Sequence, residues 1–164
     1  LGPLLFLVYI NDIVDIFFFV IEVKLFADDV KIYVIINNID DCLLLQRGLK
    51  NLSDWAEKWQ LKISISKCAV LNIGSINIKY VYNIDNASLP NVESIVDLGI
   101  TMSSSDPRFK QHIHVMVKKA HQRSSLILRC FKSRDPVILC RAFTVYVRPL
   151  VEYCSLVALL LDGY

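Results

Sequence analysis

Residues 23–33 set two adjacent carboxylates, Asp28 and Asp29, between two runs of strand-forming residues. On the first run Val23, Leu25 and Ala27 alternate with Lys24 and Phe26; on the second Val30 and Ile32 alternate with Lys31 and Tyr33. Alternation with a period of two, broken only at the acidic pair, predicts a half-buried β-hairpin with arms over residues 16–27 and 30–36. An acidic pair at a hairpin tip has two readings. Aspartate serves turns because it tolerates left-handed backbone angles and bonds its own neighbours. Juxtaposed carboxylates also repel one another, and a hard, oxygen-seeking divalent cation relieves that repulsion. The pair alone leaves both open.

The chain of 164 residues is the size of one domain and long enough to bury a core, and at 54% hydrophobic it lies at the apolar end of the soluble range. No low-complexity tract or fixed-period repeat is present, which argues against disorder and solenoids. An apolar segment begins at Leu1 without a leader, so the chain reads as a fragment of something longer. Cys42, Cys68, Cys130, Cys140 and Cys154 are scattered and never spaced C-x-x-C, which disfavours a disulfide framework or a zinc site and fits a reducing interior. His112 and His114 have no further ligand at metal spacing and are expected at a helix surface. The apolar stretch 4–21 is interrupted by Asn11, Asp12 and Asp15, so no membrane association is expected.

The net charge of +2 hides an asymmetry. Residues 1–36 hold two lysines against five acids, a net of −3, whereas residues 107–148 hold ten Lys and Arg against Asp135 alone, a net of +9. An acidic end and a basic end in one chain point to a cation site and a polyanion-binding surface.

Along the chain, residues 3–14 read as a buried helix opened by Pro3. Asp40 or Asp41 should cap a long helix to about residue 60, with Leu45, Leu49, Leu52, Trp55, Ala56 and Trp59 at three- and four-residue steps. Strands follow over 67–73, 79–84 and 94–102, with Gly99 at a bulge or close approach. Residues 103–107 form the expected linker. Beyond it, Phe109, Ile113, Met116, Val117, Ala120, Ile127, Leu128 and Phe131 make one helix face, and Lys110, His114, Lys118, Arg129 and Lys132 the opposite stripe. Most charged helix faces are simply solvated, but this one is almost purely basic, where ordinary surface helices mix signs. A second helix covers about 136–147, and an apolar run at 156–161 closes the chain.

The combination resembles the reverse transcriptases of non-LTR (LINE-type) retrotransposons. The blocks that carry it are Leu1-Gly2-Pro3-Leu4-Leu5-Phe6, Tyr9-Ile10-Asn11-Asp12, Lys24-Leu25-Phe26-Ala27-Asp28-Asp29, residues 52–61 and 66–71, Asp97-Leu98-Gly99-Ile100, His112-Ile113, Val117-Lys118-Lys119-Ala120 and residues 146–153, in that order over nearly the whole chain. The resemblance implies an α+β fold: a partial right-hand polymerase palm over 1–102, an antiparallel sheet with packed helices, then a linker at 103–108 and a helical thumb over 109–164. It implies RNA-directed DNA polymerase activity, extending a primer 3′-OH with deoxynucleotides on an RNA template. Two Mg²⁺ ions, with Mn²⁺ as a possible substitute, would be held in part by Asp28 and Asp29. Lys67 would neutralise charge on departing pyrophosphate, Leu98 and Gly99 would cradle the primer end, and Lys110, Lys118, Lys119, Arg129 and Lys132 would hold template–primer phosphates. The parent element would act in cytoplasm and nucleus.

The departures carry equal information. The family's further catalytic aspartate lies upstream of the first residue, as does the part of the parent polyprotein that binds the incoming deoxynucleoside triphosphate. Val30 stands where Thr is usual and Ser64 where Asn is usual, and Leu156-Val157-Ala158 occupies the place of an expected Trp. Two carboxylates from one hairpin do not clamp two metals, so the chain alone is expected not to polymerise. Two other readings compete: a non-catalytic retroelement remnant with at most nucleic-acid binding, and a membrane hairpin built on the first apolar stretch.

Overall fold

The computed structural model describes residues 1–74, 78–106 and 109–153, which form a mixed α+β chain in two compact units, Leu1–Val92 and Glu93–Tyr164. The expected tail at 156–161, together with Pro107 and Arg108 of the expected linker, lies outside the described residues.

The first unit is built on one helix. It opens with α1 (Gly2–Ile10), with Pro3 in the first turn, and runs into a 3₁₀ turn over Asn11–Ile16. The hairpin β1 (Glu22–Phe26) and β2 (Asp29–Tyr33) follows, then α2 (Ile39–Lys58). The start of α2 is a capping box at Asn38, two or three residues ahead of the expected cap at Asp40 or Asp41. Asn38 Oδ1 accepts from the Asp41 amide at 3.0 Å, and Asp41 Oδ2 accepts from the Asn38 amide at 3.0 Å. Its end is a left-handed Gln60 (φ 56), with the Leu61 amide donating back to Ala56 O at 2.8 Å. Along its length α2 feeds two cores. Leu52, Trp55 and Ala56 pack with Ile10 and Ile13, and against this cluster lie Leu25, Val30 and Ile32 of the hairpin. Cys42 and Leu49 pack with Tyr82, Ile84 and Leu89.

The palm-like antiparallel sheet expected for residues 1–102 is replaced, among the described residues, by separate two-stranded ladders. Expected strand 67–73 contracts to β3 (Val70–Leu71), and 79–84 to β4 (Asn83–Ile84), which pairs with β5 (Ala87–Ser88) across Asp85-Asn86. The strand β6 (Asn91–Val92) lies parallel to β3. Pro90 cannot donate to a ladder and the Asn-rich turns interrupt pairing, so neither run extends. In place of sheet, Gln46 of α2 docks the β4–β5 hairpin by donating to Asn83 O at 2.8 Å and accepting from the Asn83 amide at 2.9 Å.

Two further differences concern the apolar start. Residues 17–21 turn rather than extend, with the Ile21 amide donating to Phe18 O at 2.8 Å, so the first hairpin arm is only five residues. And α1 is not enclosed: of its residues only Ile10 is buried, while Leu4, Leu5, Leu7 and Val8 are exposed, because α1 meets the core along one stripe.

The second unit holds the hairpin β7 (Ser94–Asp97) and β8 (Ile100–Ser103), then α3 (Lys110–Cys130), α4 (Pro136–Tyr146) and α5 (Arg148–Glu152). Residues 94–102, expected as one strand, are two, because Leu98-Gly99 is a reversing loop. The expected linker is a tied turn: the Ser104 amide donates to Glu93 O at 2.9 Å, and Asp106 Oδ2 accepts from the Gln111 amide at 2.7 Å at the start of α3. The division between units therefore falls at Val92/Glu93, and β7–β8 belongs with the helices. Asp135 caps α4 by accepting from the Val137 amide at 2.9 Å. Ala120, Ile127, Ala142 and Val147 form the unit's core.

The Gly48 position in α2 marks a close crossing. A Cβ there would stand 2.9 Å from Ile21 Cδ1 and 3.2 Å from Phe17 Cδ1. Gly48→Leu therefore overpacks the joint between residues 17–21 and α2 and is expected to destabilise the chain by about 1–3 kcal/mol, read as a lowered urea midpoint. A second expectation concerns Tyr82, buried beside Cys42. Burial first, and a hydrogen bond shared with the Cys42 thiol second, push its hydroxyl above the usual tyrosine range. The unfolded chain then loses this proton first, so the contribution is complete below about pH 10 and declines as pH rises beyond it. Tyr82→Phe should flatten the fall in urea midpoint between about pH 9 and about pH 11.

Candidate functional site

The acidic pair lies at the hairpin expected from alternation, but with the turn one residue earlier than expected. The register Phe26↔Asp29 leaves Ala27 and Asp28 as the two-residue loop of the β1–β2 hairpin, with Asp29 the first residue of β2. Val23 and Leu25 are half-buried, Lys24 and Phe26 exposed, as period two requires. Ala27 carries the reversal at φ 50, a left-handed angle that an L-residue with a Cβ adopts at a cost. Asp28 and Asp29 are exposed, and neither carboxylate has an ion pair or hydrogen bond among the described residues. On the neighbouring strand Lys24 is paired at 2.7 Å with Glu22, whose hydrogen bond and charge raise the Lys24 pKa.

The donor chemistry at this tip is carboxylate oxygen, suited to Mg²⁺ or Mn²⁺. No group of three or more His, Cys, Asp or Glu that could hold a metal exists among the described residues. The donor set present thus falls short of a two-ion clamp, and no chemical step is assigned to it. Lys67, expected at the start of a strand, instead ends a 3₁₀ turn (Ile65–Lys67), its amide donating to Ser64 O at 2.9 Å and its side chain exposed.

In the second unit the register Asp97↔Ile100 makes Leu98-Gly99 a two-residue hairpin loop with both residues left-handed, φ 46 and φ 80. That is the pattern of a type I′ turn, for which glycine is suited and leucine is not. Tyr153, just after α5, lies against it: its hydroxyl donates to Leu98 O at 2.6 Å, and a Cβ on Gly99 would meet the ring at 3.3 Å. The expectation of a close approach at Gly99 therefore holds, with a side chain of this same unit as the approaching group.

Four of the five expected phosphate-binding residues, Lys110, Lys118, Lys119 and Arg129, lie on α3 and are exposed; Lys132 lies beyond its end, also exposed. Lys118 and Arg129, eleven positions apart, complete about three turns and share one face, whereas Lys119 is rotated by about 100° from Lys118. Between them His121, Gln122, Ser125 and Leu126 line a shallow groove. The buried stripe of α3 is rotated from the expected one. It runs through His112, Ala120 and Ile127, with Met116, Ser124 and Phe131 half-buried, leaving Ile113, Val117 and Leu128 exposed. His112, expected at the surface, is buried with its Nδ1 accepting from the Thr101 amide at 3.2 Å, which ties α3 to β8.

No protein-family model, curated protein or solved structure matches the chain. Among the described residues no helix is long and apolar enough to cross a membrane. Cys42, Cys68, Cys130 and Cys140 are free thiols.

Sequence reasoning missed Tyr153 as a partner of the turn and His112 as a buried acceptor. A two-residue X-Gly between alternating runs is a recognised hairpin signal and could have found the loop. Nothing local announces contacts that span 55 residues. Strain at Ala27 offers a direct test of the first hairpin. Ala27→Gly removes the Cβ penalty and is expected to stabilise the chain by about 0.5–1 kcal/mol, measured as a raised urea midpoint.

Proposed function

We propose that the chain is a nucleic-acid-gripping part of an RNA-directed DNA polymerase of the non-LTR retrotransposon type, spanning palm and thumb. The observation that carries the binding half is α3. Between residues 107 and 134 eight Lys and Arg occur with no Asp or Glu, and Lys118 and Arg129 flank an open groove. A stripe of this kind holds phosphates independently of sequence, since each neutralised phosphate releases condensed counterions. The ordered motifs supply the narrower assignment. In it, Asp28 and Asp29 contribute carboxylate oxygens to a site that other chain completes, Lys67 offers a cation to departing pyrophosphate, and Leu98-Gly99 receives the primer end.

The donor-set shortfall at the hairpin tip favours a second reading, a retroelement remnant that binds nucleic acid without catalysis. Both readings expect the isolated chain to incorporate no deoxynucleotide on an RNA–DNA template–primer with Mg²⁺ or Mn²⁺, and incorporation would overturn that expectation. Binding tests what they share. Anisotropy of a labelled RNA–DNA duplex titrated with the full chain should give an affinity that falls steeply with salt. The variant carrying Lys118→Ala and Arg129→Ala should reduce the log–log salt slope by about 2, one contact each. Absence of duplex binding at low salt would remove the proposal.

A further inference from the structure

The geometry points to Tyr153 as a positioning residue for the Leu98-Gly99 turn, an inference that rests on the reading of that turn as the primer-end cradle. Leu98 occupies a left-handed angle (φ 46) that its Cβ disfavours, so the loop keeps its shape only if neighbours hold it. Two groups do so. His112 of α3 accepts the Thr101 amide of β8, and Tyr153 donates its hydroxyl to Leu98 O at 2.6 Å while its ring lies where a Gly99 side chain would stand. Tyr153 is itself fixed from behind. Its amide donates to Pro149 O at 3.1 Å, Arg148 and Glu152 bridge one turn of α5 at 2.5 Å, and Val147, at 1% exposure, anchors the start of that helix in the core. Among the described residues the Leu98 and Gly99 amides make no backbone hydrogen bond.

The consequence is a loop whose Leu98 carbonyl is engaged by Tyr153 and whose two amides have no backbone acceptor among the described residues. Such an arrangement suits the last phosphodiester or sugar of a primer strand better than the interior of a duplex, because two amides in one loop address one nucleotide. The α3 stripe and the turn share a frame through His112, so a duplex held by phosphates on α3 meets a turn of fixed shape. Losing the Tyr153 hydroxyl should therefore cost recognition of an end and leave general duplex binding intact.

The test uses the full chain and two labelled RNA–DNA duplexes, one with a recessed DNA 3′ end and one blunt, read by anisotropy. Wild type should prefer the recessed end, and Tyr153→Phe, which keeps the ring over Gly99, should lower that preference about three- to tenfold. Affinity for the blunt duplex should stay within about twofold, because phosphate contacts on α3 are untouched. Equal weakening for both duplexes would make Tyr153 a structural residue and overturn the inference, as would an unchanged preference. A wild-type chain that binds both duplexes equally would overturn the cradle reading and this inference with it, whereas no binding by wild type removes the wider proposal. Gly99→Ala, which adds a Cβ against the Tyr153 ring at a left-handed backbone angle, is the second variant, expected to abolish the end preference; an unchanged preference would overturn the inference.

Discussion

Burial along two sides of α2 is the constraint on which the first unit depends. A helix that presents Leu52, Trp55 and Ala56 to one cluster and Cys42 and Leu49 to another cannot rotate without breaking both. Fully burying a side chain such as Leu49 or Leu52 contributes about 1.5–3 kcal/mol, well above the few tenths from helix propensity, so packing and not propensity decides where α2 lies. The β1–β2 hairpin inherits its position from the same helix. Two strands alone are marginal in water, and Leu25, Val30 and Ile32 supply the apolar face that fixes them. The acidic tip is therefore held at the end of a ladder whose other face is solvated. Gly48 is where this arrangement is tightest, since residues 17 and 21 enter the space of a side chain.

The second unit balances a different pair of forces. A helix bearing cations without an acid repels itself, and its stability must come from the buried stripe through Ala120 and Ile127. That stripe admits a polar member because His112 finds the Thr101 amide, which answers the cost of burying an unbonded ring nitrogen. The outcome is a cationic face with no competing partner among the described acids, on a scaffold rigid enough to hold a strained turn.

Much of this was legible in the chain. Period-two alternation found the β1–β2 hairpin, and three- and four-residue spacing found α2 and α3, because each of these elements has one face decided by burial. The expected strands 67–73 and 79–84 shrink to β3 and β4, since apolar runs read alike whether they pair or merely pack, and the short partners β5 and β6 have no sequence signal of their own. Residues 94–102 read as one strand with Gly99 at a bulge or close approach, because a leucine at a left-handed angle contradicts its own preference; the structure makes Leu98-Gly99 a reversing loop with a hydrogen bond from Tyr153 to Leu98 O. The rotation of the α3 stripe had the same origin: sequence ranks histidine as surface, and only a partner on β8 reverses that ranking. The cap of α2 lies two or three residues before the expected Asp40 or Asp41, because Asp41 acts as the reciprocal acceptor in a box whose first member is Asn38.

Two features of the first unit bear on which functional reading is physically complete. The carboxylate pair lacks further donors among the described residues, and α1 leaves Leu4, Leu5, Leu7 and Val8 exposed on a helix apolar all round. A helix of that kind is ordinarily buried on more than one side. The polymerase reading requires both gaps to be met, by carboxylate oxygens at the hairpin tip and by apolar cover over α1. The remnant reading requires neither, and then the exposed face is a standing aggregation hazard rather than a joint. Solvation separates the two in physical terms: a joint gains free energy when its apolar area leaves water, while a carboxylate brought alongside Asp28 and Asp29 adds repulsion that only a cation relieves.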